Sequence, residues 1–170
     1  GLTAGLLSVG VDVIDLGVVA TPMVYFGTHM AIHGQSPKSG IMITGSHNPP
    51  DYNGFKMVLG GAAIYGDQIQ GLRQRIVEQS FSQGQGKRST FDIFPAYLER
   101  IVGDVRLKRP MKIAVDCGNG VGGAFAGKLF RALGCEVEEL FCEVDGNFPN
   151  HHPDPAHVEN LQDLIKNLQH

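Results

Sequence analysis

No apolar run in this chain approaches the roughly 20 residues that a helix needs to cross a bilayer, so no membrane partner is expected. Nor is there an excess of positive charge. The formal net charge is −3, which leaves no electrostatic basis for holding a nucleic-acid backbone. The cysteines, Cys117, Cys135 and Cys142, are odd in number and lack the CxxC spacing of a zinc site. They read as buried thiols in a reducing cytoplasm rather than as nucleophiles. The opening residues, GLTAGLLSVG, hold neither a Met nor a basic stretch, so they do not read as a signal peptide.

What is present points to a globular chain. Hydrophobic residues make up 42% and charged residues 18%, enough for one good core or two small ones at this length. Helix and strand patterns alternate. Leu2 to Val9 reads as the end of a helix stopped by Gly10, and Val11 to Leu16 as a strand. Thr21-Pro22 opens a helix expected to run to about His33. Ile41 to Ile43 and Phe55 to Leu59 read as strands, and Asp67 to Gln79 as a helix with Ile69, Leu72 and Ile76 on one face. Ser80 to Thr90 is polar and Gly-rich and reads as a linker.

Beyond the linker, Asp92 to Asp104 reads as a helix and Lys112 to Cys117 as a strand. A glycine turn leads into a helix ending at Leu133, and Cys135 to Phe141 is the next strand. Leu6–Val13 and Leu129–Val137 share a helix–glycine–strand pattern, one unit met twice. The expected fold is α/β: two α/β units of similar build, with mixed sheets flanked by helices, over residues 1–91 and 92–170. Gly1 to Ser8 has no cap before it, and Leu161 to Gln169 has no strand after it. The chain therefore reads as a piece of something longer.

The chemistry concentrates in Gly40 to Lys56, GIMITGSHNPPDYNGFK. A short β-prone run meets Thr44-Gly45-Ser46-His47-Asn48-Pro49-Pro50, which cannot continue a strand. Gly45 permits unusual backbone angles, and the two prolines fix φ and remove amide donors. A rigid polar loop at the carboxyl end of a strand is expected, the place where open α/β sheets bind ligands. Ser46 is the hydroxyl at its tip, with the His47 imidazole beside it. Lys56 is the one charge in the returning strand.

TGSHNPPDYNGFK resembles the active-site serine loop of the α-D-phosphohexomutases, closest to the bacterial phosphomannomutase/phosphoglucomutase branch. GLTAGLLSVGVDVIDLG, VDCGNG and CEVDGNFPNHHPDP extend the resemblance over essentially the whole chain. The resemblance implies incomplete first and second domains of such an enzyme. It implies reversible movement of phosphate between C1 and C6 of a hexose phosphate, of mannose or glucose, through a phosphoserine and a bisphosphorylated sugar. Ser46 matches the phosphoserine; His47 and Lys56 match residues near the phosphoryl group, either of which could neutralise charge or exchange a proton. Thr44, Gly45 and Asn48 match loop-supporting positions. Mg²⁺ is implied, held partly by the Ser46 phosphate and partly by a DGDGDR loop that the resemblance places past His170. The sugar-recognition loop and the carboxyl-terminal phosphate-binding domain are absent too, so this chain alone is expected to lack turnover.

Other readings compete. Gly118, Gly120 and Gly123 satisfy GxGxxG between a strand and a helix, with Glu138 and Glu139 about twenty residues on. Taken alone, this suggests an NAD-binding oxidoreductase domain. Asp116 opposes it by setting a carboxylate just before the turn, where it would repel a pyrophosphate. A non-catalytic sugar-phosphate-binding module is the third reading. His29 and His33 fall at i, i+4 on the expected helix and could share a metal, but Met30 stands where a metalloprotease motif has Glu and no third ligand follows. Glu143, Asp145, His151, His152 and Asp154 crowd one Pro-rich loop without a diagnostic spacing, and it is assigned no chemistry.

Overall fold

The structure is a computed structural model that describes residues 1–49 and 51–169; Pro50, expected to stiffen the serine loop, lies outside them. Its helices are α1 (Leu2–Ser8), α2 (Thr21–Gly27), α3 (Asp67–Val77), α4 (Phe94–Asp104), α5 (Ala126–Ala132) and α6 (Gln162–Asn167). Its strands are β1 (Val13–Asp15), β2 (Gly40–Ile43), β3 (Phe55–Leu59), β4 (Ala62–Ala63), β5 (Arg88–Thr90), β6 (Lys112–Asp116) and β7 (Glu136–Leu140). They form a β1-β5 pair, a β2-β3-β4 sheet and a β6-β7 pair. The fold is α/β, with parallel pairs at β1-β5 and β6-β7 and an antiparallel pair at β3-β4. The chain divides into two compact units that interleave in sequence. One comprises Gly1–Gly17, Val24–Met42 and Lys56–Ile93; the other comprises Val18–Met23, Ile43–Phe55 and Phe94–His170.

In the first unit, β5 lies inside the stretch that reads as a linker. Its composition hides it: Arg88, Ser89 and Thr90 are all exposed, so no apolar alternation marks it. It pairs with β1 in the register Val13↔Arg88 to Asp15↔Thr90. The Asp15 carboxylate fastens the pair, accepting from the Gly17 amide at 2.9 Å and from the Arg88 guanidinium at 2.7 Å. The Gly17 amide, and then the Arg88 hydrogen bond, hold its carboxyl below the usual range. Val24, Ile32, Val58 and Ile93 form the apolar core, with Ile93 wholly enclosed. Gly27 admits that packing: a Cβ on it would stand 3.1 Å from Ile93 Cδ1.

Helix α2 stops at Gly27 rather than continuing to His33. A tight turn further on, which the pattern of apolar residues did not announce, keeps the helix from reaching His33. Ile32 and Gln35 exchange both backbone hydrogen bonds, at 2.8 and 2.9 Å, around His33 at φ 50° and Gly34 at φ 75°. Two successive positive φ values are the signature of a type I′ turn, which a helix cannot enter. His29 and His33 therefore do not share a helical face. His29 Nδ1 lies 2.9 Å from the Tyr25 carbonyl, and His33 Nε2 donates to the Thr90 carbonyl at 3.0 Å.

In the second unit, β6 and β7 run parallel in the register Lys112↔Glu136 to Asp116↔Leu140. A parallel pair requires a crossover, which α5 supplies. The turn from β6 into a short 3-10 segment (Val121–Ala124) is tied to the chain that leaves β7. Asn119 is the tie. It is 5% exposed, takes the left-handed conformation at φ 58°, and uses every polar group it has. Its amide donates to the Phe141 carbonyl at 2.8 Å, and its carbonyl accepts from the Asp145 amide at 3.0 Å. Its side chain donates to the Glu143 carbonyl at 2.9 Å and accepts from Asn150 at 2.7 Å. A Cβ on Gly123 would collide with the backbone carbonyl of Cys142. Backbone cannot swing aside as a flexible side chain can. Gly123→Ala should therefore destabilise the protein by about 3 kcal/mol, read as a lower urea midpoint, whereas Gly122→Ala, whose Cβ meets nothing within 4 Å, should cost only the helix-end change.

Candidate active site

Ser46 sits in the loop that leaves β2, and the loop is closed by its own backbone. The Thr44 amide donates to the Gly54 carbonyl at 3.0 Å, and the Tyr52 amide to the Pro49 carbonyl at 3.0 Å. Gly45 is needed for space rather than for backbone angle: a Cβ there would lie 2.7 Å from the Tyr52 carbonyl oxygen. The unusual angle falls one residue later. Ser46 takes φ 56°, a left-handed conformation that costs a serine on the order of 1 kcal/mol. The conformation is held from both sides. The Ser46 amide donates to Thr44 Oγ1 at 2.9 Å, and the Asn48 side chain and amide both donate to the Gly45 carbonyl, at 2.8 and 3.1 Å. Thr44, Gly45 and Asn48 thus surround an exposed serine.

His47 is exposed too, but its ring is anchored. Nδ1 donates to the carbonyl of Pro153 at 3.0 Å, from 106 residues away in sequence. Lys56 is exposed and stands on β3. The acceptor at Pro153 escaped the sequence, because a backbone carbonyl has no residue-type signature. Pro153 belongs to the loop that was assigned no chemistry, and that loop carries an ion pair. His151 Nε2 lies 3.1 Å from both carboxylate oxygens of Asp116, and the Asp116 side chain is only 4% exposed. His151 Nδ1 faces the His152 carbonyl at 3.0 Å. The ring edge meets Phe141 at 5.4 Å between centroids. Asp116 also accepts from the Gly118 amide at 2.8 Å.

The glycine turn is filled by the protein itself. The amides of Gly118, Asn119, Gly120 and Gly123 donate to Asp116, Phe141, Cys117 and Gly120, so they are not free to cradle a pyrophosphate. A Cβ on Gly118 would stand 3.1 Å from the His151 ring. The glycines here serve close packing, and the NAD reading loses its support. Among the described residues, no three His, Cys, Asp or Glu side chains come together to hold a metal ion. Cys117 and Cys142 approach to 3.3 Å between sulfurs. Burial, and then the hydrogen bond with Cys142, push the Cys117 thiol up to about 12, which leaves almost no thiolate at neutral pH. Among the described residues, no helix is long and apolar enough to cross a membrane.

The His151 ring nitrogens face groups that only accept, so the charged imidazolium is the form that satisfies both. Burial works against that charge. The His152 carbonyl, the Asp116 hydrogen bond, and the attraction of Asp116 and Asp163 outweigh it and raise the pKa above the ordinary 6.5. A raised folded pKa stabilises the fold fully below pH 6.5 and ceases to do so as the pH climbs through the folded value. Denaturation midpoints should therefore fall with rising pH through that window, and Asp116→Asn should flatten the slope.

Relatives of known class share this arrangement of chain. Family models for the alpha/beta/alpha domains I and II of phosphoglucomutase/phosphomannomutase match residues 1–83 and 95–170. A phosphoglucomutase of Neisseria gonorrhoeae is 58% identical over 97% of this chain, and a phosphomannomutase/phosphoglucomutase of Pseudomonas aeruginosa 51% identical over 99%. In both, the chain spans 35% of the relative's length. A crystal structure of a phosphoglucomutase/phosphomannomutase family protein from Burkholderia thailandensis superposes with a TM-score of 0.95 at 60% identity, covering 98% of this chain and 37% of that one. The two matched domains, the agreement of the backbone and the level of identity together place this chain in the phosphoglucomutase/phosphomannomutase family.

Proposed function

We propose that this chain carries the phosphoserine segment of a phosphohexomutase that interconverts hexose 1-phosphate and hexose 6-phosphate, of mannose or glucose. Residues 1–91 and 92–170 are then the corresponding parts of its first and second domains. The observation that carries the reading is Ser46 itself: an exposed hydroxyl at φ 56° on a loop closed by backbone hydrogen bonds. Phosphoryl transfer asks for positioning and charge neutralisation more than for covalent machinery. A serine oxygen lifted out of a rigid turn can be approached in line. In the forward step the Ser46 Oγ–phosphorus bond breaks as a sugar hydroxyl oxygen bonds to phosphorus, and the hydroxyl proton passes to a nearby base. The sugar bisphosphate then returns its other phosphoryl group to Ser46.

His47 and Lys56 supply the positive charge and proton exchange that this step needs. Thr44, Gly45 and Asn48 brace the loop through the contacts already described. The magnesium ion that the resemblance implies does not fit this chain's residues by themselves. Mg²⁺ prefers octahedral oxygen coordination with carboxylate anchors, and the described residues offer no such cluster. The Ser46 phosphate would supply oxygens on one side only.

The test uses the complete protein that contains this chain. After incubation with a hexose 1,6-bisphosphate, intact mass and peptide mapping should find one phosphate on Ser46. Ser46→Ala should lose both the phosphate and most of the turnover, and Lys56→Ala should slow turnover by about 10²-fold or more. Near-normal turnover in the Ser46→Ala protein would overturn the phosphoserine mechanism. Saturable NAD binding in its place would favour the oxidoreductase reading.

A further inference from the structure

The loop that follows β7 carries the Pro153 carbonyl that holds the His47 ring, and the same loop is pinned by a buried ion pair. We propose that Asp116 and His151 are positioning residues for His47: by pinning residues 151–155 they hold the Pro153 carbonyl against Nδ1, which fixes the proton there and leaves Nε2 as the acceptor face of the ring. The inference rests on the phosphoserine reading only for the ligand that Nε2 meets, a sugar hydroxyl.

A carbonyl oxygen only accepts, so the 3.0 Å contact at Nδ1 requires the proton on that nitrogen. A neutral imidazole has one N–H, and Nε2 must then carry the lone pair. A histidine free in water favours the opposite arrangement, with the proton on Nε2. The Pro153 carbonyl reverses that preference next to Ser46. The same logic governs metal-binding histidines, where the partner of one ring nitrogen decides what the other can do.

Pro153 cannot hold itself in place. It has no amide to donate, and its carbonyl is aimed by its neighbours. Before it, His151 bonds Asp116 through Nε2 and the His152 carbonyl through Nδ1. After it, the Asp154 amide donates to the His152 carbonyl at 2.8 Å, and the Asp154 carbonyl accepts from the Asn160 side chain at 2.8 Å. Gly118 leaves the room: its missing Cβ would crowd the His151 ring at 3.1 Å and Pro153 Cα at 3.5 Å. The clamp is an enclosed pair, with His151 16% and Asp116 4% exposed at the side chain. Removing one partner of such a pair leaves the other charge stranded, so the loop must move. Asp163 is the other charge that acts on His151, and it is attractive.

Long-range nitrogen–proton NMR on the complete, histidine-labelled protein that contains this chain reads the tautomer directly, at a pH where the His47 ring is neutral. The wild-type ring should carry its proton on Nδ1. His151→Phe and Asp116→Asn should shift the population toward Nε2–H. His151→Gln, which keeps a donor for Asp116, should restore Nδ1–H at least in part. Ser46→Ala should leave the tautomer unchanged. A wild-type His47 with its proton on Nε2 overturns the proposal, whatever the variants do. So does Nδ1–H persisting at wild-type population in both His151→Phe and Asp116→Asn. Should His151→Phe fail to fold, the milder Asp116→Asn carries the comparison. No turnover is needed for this measurement, so a correct tautomer in a protein without mutase activity would count against the phosphoserine reading and not against the clamp.

Discussion

A carboxylate with 4% of its side chain exposed cannot stand alone. Asp116 ends β6, and its two oxygens have to be satisfied by whatever the chain brings there. One accepts the Gly118 amide, which bends the strand into its turn; both face the His151 imidazolium, which brings back a loop from 35 residues on. The turn follows that path with glycine at 123, where the Cys142 carbonyl leaves no room for a side chain, and at 118, where the backbone is left-handed and a Cβ would crowd the His151 ring. Asn119, buried between them, then fastens the turn to residues 141–150. What resembles a nucleotide-binding fingerprint is here the packing solution for one buried charge.

The regular elements were legible because their causes are local. β6 and β7, α4 and α5 announce themselves by apolar spacing and by glycine stops, and the structure places them within a few residues of the expected bounds. Failures came where a distant partner decides. β5 has no apolar residue to betray it and exists because β1 lies alongside. Helix α2 does not reach His33, because His33 sits in a turn at positive φ that a helical propensity scale would not assign to it.

The serine loop divides in the same way. Its residue types signal a rigid turn with an exposed hydroxyl, and the structure supplies one. The distribution of work inside it was misjudged: strain rests on Ser46, while Gly45 answers to the Tyr52 carbonyl. The anchoring of His47 had no sequence signal at all, since its partner is a main-chain oxygen in a loop whose histidines and aspartates showed no diagnostic spacing and were assigned no chemistry. Buried polar networks and metal sites draw on the same residue types, and only geometry separates them.

The clasp between Gly45 and Tyr52 sets a limit of a different kind. Thr44 bonds Gly54 across the neck of the loop, and the Gly45 Cα packs under the Tyr52 carbonyl with no room for a methyl group. The span between these points is therefore measured in residues. An inserted or deleted residue would put the two ends of the clasp out of register. Along this stretch, length is a constraint in its own right beside residue type.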